Sequence, residues 1–353
     1  MQIALILAML FAGEVLKAQD LEETLQQLPE DPAKEFVRPL TDAFGANLNT
    51  GWLSNAAKAS VSGLDFKIGL VGMGAFIDKD QEIFILLDQF FPLTESQALN
   101  IAQTIPGFGN LPAGEQSAIL ARLLTVPLKS ETSGPTVFGS EDEYVTVQFP
   151  LQTIEANGNQ YQIPAQVLEI TPVTGILQDP GIFPTVAPQL SIGTLYGTQA
   201  TIRFLPSSRY IDELGKISYF GWGIQHNPLV WFKNPLPVDF SVAFFNQRLK
   251  IEDLAEASGM AFGINVSKTF GGFVGSITPY AGFMIEKTTM DIEYEYQVLP
   301  PPAPPIVFDF EIEGANKNRF IVGLGFNVVG LNILADYNFS EVNTLNLSVL
   351  YGF

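Results

Sequence analysis

Along much of this chain, hydrophobic residues recur at every second position. Leu64, Phe66, Ile68 and Leu70 alternate with Asp65, Lys67 and Gly69, and the pattern runs on to Phe76. A period of two marks strands with one apolar and one polar face. It returns where Leu190, Ile192, Ala200, Ile202 and Phe204 oppose Gln189, Ser191, Gln199, Thr201 and Arg203, with Gly193 and Gly197 marking a tight turn. Further strands are predicted at residues 216–226, 238–250, 260–270, 276–297, 306–328, 331–340 and 344–353. Residues 251–258 and the proline linker 299–305 read as long connections. On either side of that linker, Met290, Ile292, Tyr294 and Tyr296 interleave with Asp291, Glu293 and Glu295, and Ile306, Phe308, Phe310 and Ile312 with Val307, Asp309, Glu311 and Glu313. This predicts a projecting hairpin with its carboxylates in water.

Four stretches break the alternation. Residues 1–18 carry an apolar run from Ile3 to Ala12, then Gly13 and a small Ala18, which predicts a signal peptide cleaved after Ala18. Residues 19–57 form a plug-like helical segment. Asp31 is expected to cap a helix with Pro32 in its first turn, Phe36, Val37, Leu40 and Phe44 on one face, Pro39 as a kink and Gly45 at its end. A helical insertion is expected near residues 90–140. There Thr94 and Gln97 have capping-box spacing ahead of Ala98, Ile101, Ala102 and Ile105, and residues 112–124 make a second helix. Over 144–188 short β-like pieces are interrupted by Pro150, Pro164, Pro172, Pro180 and Pro184, which predicts an irregular zone because proline cannot donate to a strand ladder.

Composition narrows the fold. Of 353 residues, 47% are hydrophobic, yet after residue 18 no apolar run is long enough for a membrane-spanning helix. Apolar content dispersed one residue in two is how a membrane barrel stores it. The expected fold is therefore all-β: an antiparallel transmembrane β-barrel over residues 58–353, with about ten to fourteen strands. With both termini placed in the periplasm, the strand number is even. The tight connections at 270–273 and 328–330 then fall on the periplasmic side and the long loops outside. The balance of 18 basic against 37 acidic residues leaves a charge of −19, which excludes a nucleic-acid partner for want of a basic surface. Cysteine is absent, so disulfides and thiolate metal sites are excluded.

The last residues carry the strongest local signal. Phe353, Tyr351, Val349, Leu347 and Leu345 share one face of the terminal strand. An aromatic end behind alternating apolar residues is expected to act as the membrane-assembly signal, read by the outer-membrane assembly machinery, and to face outer-membrane lipid. Candidate chemistry is sparse. His226 is the single histidine and has no serine motif beside it, so a turn-capping role is expected and no enzymatic activity. The acidic runs 291–295 and 309–313 read as a wet face rather than a cation site. Gly271-Gly272 and the Gly323/Gly325 pair open no nucleotide-binding helix, so no cofactor is expected. Trp231 and Phe232 suit the headgroup boundary. Asn327, Asn332, Asp336, Asn338, Thr278 and Tyr280 lie on the inward faces of late strands, which predicts a plugged or narrow lumen.

Several segments also carry a family resemblance. Phe44 to Trp52, the strand from Lys58 to Ala75, Arg203-Phe204-Leu205-Pro206, Gly221 to Asn227, and Leu236 to Asp239 together resemble an uncharacterised outer-membrane barrel family. That family is distantly similar to the long-chain fatty-acid and aromatic-hydrocarbon transporters of the FadL type. The resemblance implies a small hydrophobic ligand and its passage through the barrel, with the N-terminal segment as plug, and transfers no individual ligand residue. The alternative expectation is a structural or interaction barrel presenting its extracellular loops to a partner.

Overall fold

The computed structural model describes residues 21–171, 173–178, 180–211, 215–233, 236–272, 274–296 and 304–352. The expected signal peptide, Phe353 and most of the proline linker lie outside them. The described chain opens with two helices, α1 (Leu21–Leu25) and α2 (Glu30–Leu48), and continues through an irregular stretch into β1 (Ser62–Phe76). An insertion follows: β2 (Ile83–Phe91), α3 (Glu95–Thr104), α4 (Ala113–Thr125), β3 (Leu128–Pro135), β4 (Val145–Phe149), β5 (Gln152–Ala156), β6 (Asn159–Ile163) and β7 (Gln166–Ile170). Then come β8 (Ile182–Leu195), β9 (Thr198–Ile211), β10 (Gly215–His226), β11 (Asp239–Ile251), β12 (Ala255–Ser267) and the short β13 (Phe270–Gly272). The chain finishes with β14 (Gly275–Tyr296), β15 (Ile306–Glu313), β16 (Asn318–Val328), β17 (Leu331–Phe339) and β18 (Thr344–Gly352).

Among the described residues, ten strands close into an antiparallel barrel. β8 through β12 pair in succession, β12 pairs β14, and β14, β16, β17 and β18 continue the wall until β18 meets β1 and β1 meets β8. Closure gives every wall strand a partner on both sides, with β8 and β9 paired over only part of their length, and removes the free edges an open sheet would expose. The one-in-two pattern is resolved by this wall. On β18, Leu345, Leu347, Val349 and Tyr351 point outward and are exposed, while Thr344, Asn346 and Ser348 are buried inside. Phe220, Trp222 and Ile224 on β10 and Phe262, Ile264 and Val266 on β12 extend the outer apolar surface.

A polar interior inside an apolar exterior inverts the order of a water-soluble protein, and hydrocarbon is the solvent that such an exterior matches. Aromatic pairs mark both rims, Phe76 with Tyr337 at 5.7 Å at one end and Tyr196 stacked on Trp231 at 6.0 Å at the other. No helix among the described residues is long and apolar enough to cross a membrane. The chain is an outer-membrane β-barrel. Its tight turns at Tyr196-Gly197 and Val329-Gly330 mark the periplasmic end, and the large insertion marks the outer end.

Several local expectations change. Residues 251–258 are no long loop: β11 runs to Ile251 and β12 starts at Ala255, with Glu252 at φ 44° turning the chain. Residues 306–328 are two strands, because 314–317 leave the ladder where Ala315 and Asn316 bond to Asp42 and Val342. Residues 144–188 hold short strands broken near prolines, as the sequence predicts, but Pro184 and Pro188 lie within β8 itself. β8 pairs β1 along its whole length but pairs β9 only between Gln189 and Leu195, so both prolines sit where one side of the strand needs no ladder. The insertion holds the two expected helices and, besides them, a four-stranded sheet in the order β2-β3-β4-β7 and the β5-β6 hairpin.

The plug also differs in detail. Pro29, not Asp31, precedes α2, and Gly45 lies inside a helix that runs on to Leu48. A Cβ on Gly45 would meet the Thr288 side chain at 3.0 Å, so this glycine serves close packing on the wall. Nor does the described N-terminal part lie in the periplasm. Phe36, Val37, Leu40 and Phe44 share a core with Met290, Ile292 and Tyr294 of the β14 extension and with Val137, Phe138 and Val147 of the insertion, at the outer end. The even strand number arises instead because the chain descends through the lumen before β1 begins.

Candidate functional site

The lumen holds the densest chemistry of the molecule, built where residues 41–59 meet the inner wall. Arg319 on β16 is buried and uses all five of its donors. Its Nε and Nη2 donate to Glu286 Oε2 and Oε1 at 3.1 and 3.0 Å, forming a two-point ion pair across adjacent strands. The remaining hydrogens reach Ala46 O at 2.8 Å, Thr344 Oγ1 at 3.1 Å and Thr50 Oγ1. Carbonyls of a helix's last turn lack intrahelical donors and carry the negative end of its dipole, so a guanidinium at Ala46 completes α2 and fixes it to the wall.

A second buried arginine works one turn further down. Arg203 on β9 donates to Gln189 Oε1 at 2.9 Å and to Thr50 O at 2.7 Å, and its guanidinium lies 4.0 Å from the ring centre of Trp52. The Trp52 indole donates back to Leu48 O at 2.8 Å, folding the chain beneath the helix end. Gly51 makes that fold: its φ is 72°, and an added Cβ would sit 2.7 Å from Asn346 Oδ1. Gly221 leaves the matching space on β10, where a Cβ would come within 2.9 Å of the Trp52 ring.

Below Trp52 the inner wall takes over the plug's backbone groups one by one. Gln225 donates to Trp52 O at 2.9 Å, Asn265 to Ser54 O at 3.0 Å and Asn227 to Ala57 O at 2.7 Å, while Ser267 Oγ accepts from Ala56 N at 3.1 Å. An irregular chain would be costly in this interior without such partners. Elsewhere on the wall, Asp336 accepts from Tyr280 at 2.8 Å and from Asn346 and Asn338 at 2.7 Å each. The inward residues of the late strands are thus organised around one buried carboxylate.

Two features bear on access. At the periplasmic mouth a cavity of about 480 Å³ opens beneath the plug, edged by Asn55, Lys58, Lys67, Asp239, Asn327 and Asn332. In the outer half the interior is apolar protein, and the wall beside it is the stretch where β8 and β9 are unpaired. Phe183 and Ala187 of that stretch belong to the apolar core, and Leu205 of β9 packs against it. Near the same level Asp42 of α2 accepts from Ala315 N at 2.8 Å, and burial pushes its carboxyl up to about 6 against the opposing pull of that bond and of Arg38.

The candidate residues distribute as follows. Leu345, Leu347, Val349 and Tyr351 stand on the outward face of β18, and Phe353 lies outside the described residues. His226 ends β10 at the periplasmic rim, with Nδ1 3.0 Å from Thr198 Oγ1 and Nε2 accepting from the Trp231 indole at 3.4 Å. Asp291 faces Glu311 and Glu293 faces Asp309 across the projecting hairpin, and no group of carboxylates among the described residues is placed to hold a metal ion. Sequence reasoning missed Arg203, Arg319 and Glu286 as a set. For Arg319 the signal was a lone charge at an inward position of an otherwise uncharged strand.

All 353 residues match the profile of DUF6588, a family of unknown function. The chain belongs to that family. None of the curated proteins matches this DUF6588 chain. Among solved structures it is similar to the attachment invasion locus protein Ail of Yersinia pestis, at 15% identity over 44% of this chain and 93% of that one, with a TM-score of 0.20. It is also similar to the Ralstonia pickettii toluene transporter TbuX, at 8% identity over 96% and 98% of the two chains and a TM-score of 0.23. Vibrio cholerae outer membrane protein OmpT aligns at 9% identity over 82% and 99%, with a TM-score of 0.20. At these scores the DUF6588 barrel is read from its own strand pairings.

Proposed function

We propose that this barrel binds small hydrophobic molecules, of the fatty-acid or hydrocarbon type, and passes them across the outer membrane without chemical change. The observation that carries this reading is the apolar core of the outer half, which meets the wall where β8 and β9 are unpaired. A hydrophobic solute dissolved in the bilayer then reaches apolar protein through a wall segment whose ladder is already open. The plug below it excludes water and ions. The distant resemblance in general layout to FadL-type transporters, a plug-like N-terminal segment ahead of the barrel and an aromatic-glycine strand leading into a short periplasmic turn, supports the same reading. Liposomes bearing the purified barrel are expected to take up labelled fatty acid or toluene faster than empty liposomes. Equal rates for every such solute would end the proposal.

A second reading has its own observation. In the insertion, β2 is an edge strand whose outward residues Ile83, Ile85, Leu87 and Phe90 are all more than half exposed, from 56% to 69%. Such an edge suits addition of a partner's strand. Under this reading Ile85→Lys abolishes capture of a cell-surface partner and leaves solute uptake unchanged.

A further inference from the structure

The path of the plug through the barrel has a definite direction. Tyr294, on the β14 extension beyond the membrane, donates to Leu28 O at 3.0 Å. Lower on the same strand Thr288 accepts from Asn49 at 3.2 Å. Near the periplasmic ends of β12 and β10, Asn265 and Asn227 hold Ser54 and Ala57. Residue number therefore rises from the outer end to the periplasmic end, and β1 starts upward from there. Ahead of Leu28, α1 lies at the outer rim with Glu23 exposed, and Gln26 and Gln27 edge a polar cavity of about 660 Å³ shared with α3 and Glu295.

We infer that the barrel is threaded by its own N-terminal segment from the outer end to the periplasmic end, so that α1 is presented on the outer face of the membrane. This rests on the orientation assigned above, with the insertion outside. It has a consequence for the proposed transport. A plug entered from the periplasm can swing back out of its mouth, whereas this one is continuous with β1 below and emerges above. Withdrawal would drag α1 and α2 down the whole lumen past Arg203 and Arg319. Passage of a solute therefore requires rearrangement of the plug in place, with α1 held at the outer rim.

The absence of cysteine makes this directly testable by single-cysteine labelling in whole cells. Glu23→Cys reports the N-terminal end, Asp253→Cys the β11–β12 turn on the outer side, and Val274→Cys, at a site 78% exposed, the periplasmic side. A membrane-impermeant maleimide added to intact cells is expected to label Glu23→Cys and Asp253→Cys at least tenfold more than Val274→Cys. After permeabilisation all three label equally. If Asp253→Cys labels on intact cells and Glu23→Cys does not, the threading is overturned. If Val274→Cys labels and Asp253→Cys does not, the assigned orientation is wrong instead. Gln27→Cys repeats the N-terminal measurement should Glu23→Cys fail to reach the membrane, with heat-modifiable electrophoretic mobility as the check on folding.

Discussion

Arg319 and Glu286 form a two-point ion pair inside the barrel, with both side chains removed from solvent. The pair is the hub of the plug, because the same guanidinium also holds the end of α2 and Thr50. Breaking a buried pair by removing one partner leaves the other charge uncompensated, at a cost of roughly 3–5 kcal/mol. Glu286→Gln is thus expected to lower the denaturant midpoint of the detergent-solubilised barrel markedly. The double change Arg319→Met with Glu286→Leu should cost less than either single change, and midpoints that simply add would contradict the pairing.

Arg203 and Trp52 offer a spectroscopic test. The chain has three tryptophans, of which Trp52 is buried in the lumen while Trp222 and Trp231 face outward. In a Trp222→Phe, Trp231→Phe background the emission reports Trp52 alone. Arg203→Met removes a stacked cation worth about 2 kcal/mol when desolvated and a charge-assisted bond to Thr50 O. A red-shifted emission is expected, together with easier quenching by iodide. An unmoved spectrum would mean that Trp52 is seated by the wall alone.

The plug helix also gives stability a pH dependence. Burial pushes the Asp42 carboxyl from 3.8 up to about 6, so the folded state holds this proton more tightly than the unfolded chain. That contribution is complete below about pH 4 and is lost as pH rises through about 6, amounting to at most about 3 kcal/mol. The stability difference between wild type and Asp42→Asn, followed by denaturant midpoint from pH 4 to 7.5, should move in favour of the asparagine variant as pH rises. A difference constant across that range would refute the assignment.

If the plug seals the lumen, its removal should open it. Deleting residues 21–57 takes away α1, α2 and the stretch held by Arg203, Arg319 and Asn265. In planar bilayers the intact barrel is expected to be electrically silent and the deleted form to conduct ions in steps. Conductance by the intact barrel would instead require a water path around the plug.

Much of the wall was legible before any coordinates. The alternation of Leu345, Leu347, Val349 and Tyr351 with Thr344, Asn346 and Ser348 is a local property, because a strand turns successive side chains to opposite faces whatever its neighbours are. The same holds for the capping box at Thr94 and Gln97, which closes within one helical turn. Less legible were the prolines of β8, since their tolerance depends on a neighbour that pairs over only part of the strand. The chain break at 314–317 was hidden for a similar reason: its donors are satisfied from α2 and from the β17–β18 connection.

By itself the amino-acid order determined that this protein is an antiparallel barrel, apolar outside and polar inside, with a helical segment ahead of it. Two-residue periodicity carries that reading, since it is a fact about neighbours along the chain. Only the tertiary structure decided that ten strands close the wall, that Arg203 and Arg319 grip one helix end, and that the plug runs from the outer rim downward. Those contacts join residues more than a hundred positions apart, and no local pattern specifies which buried charge will meet which orphaned carbonyl once the sheet has closed.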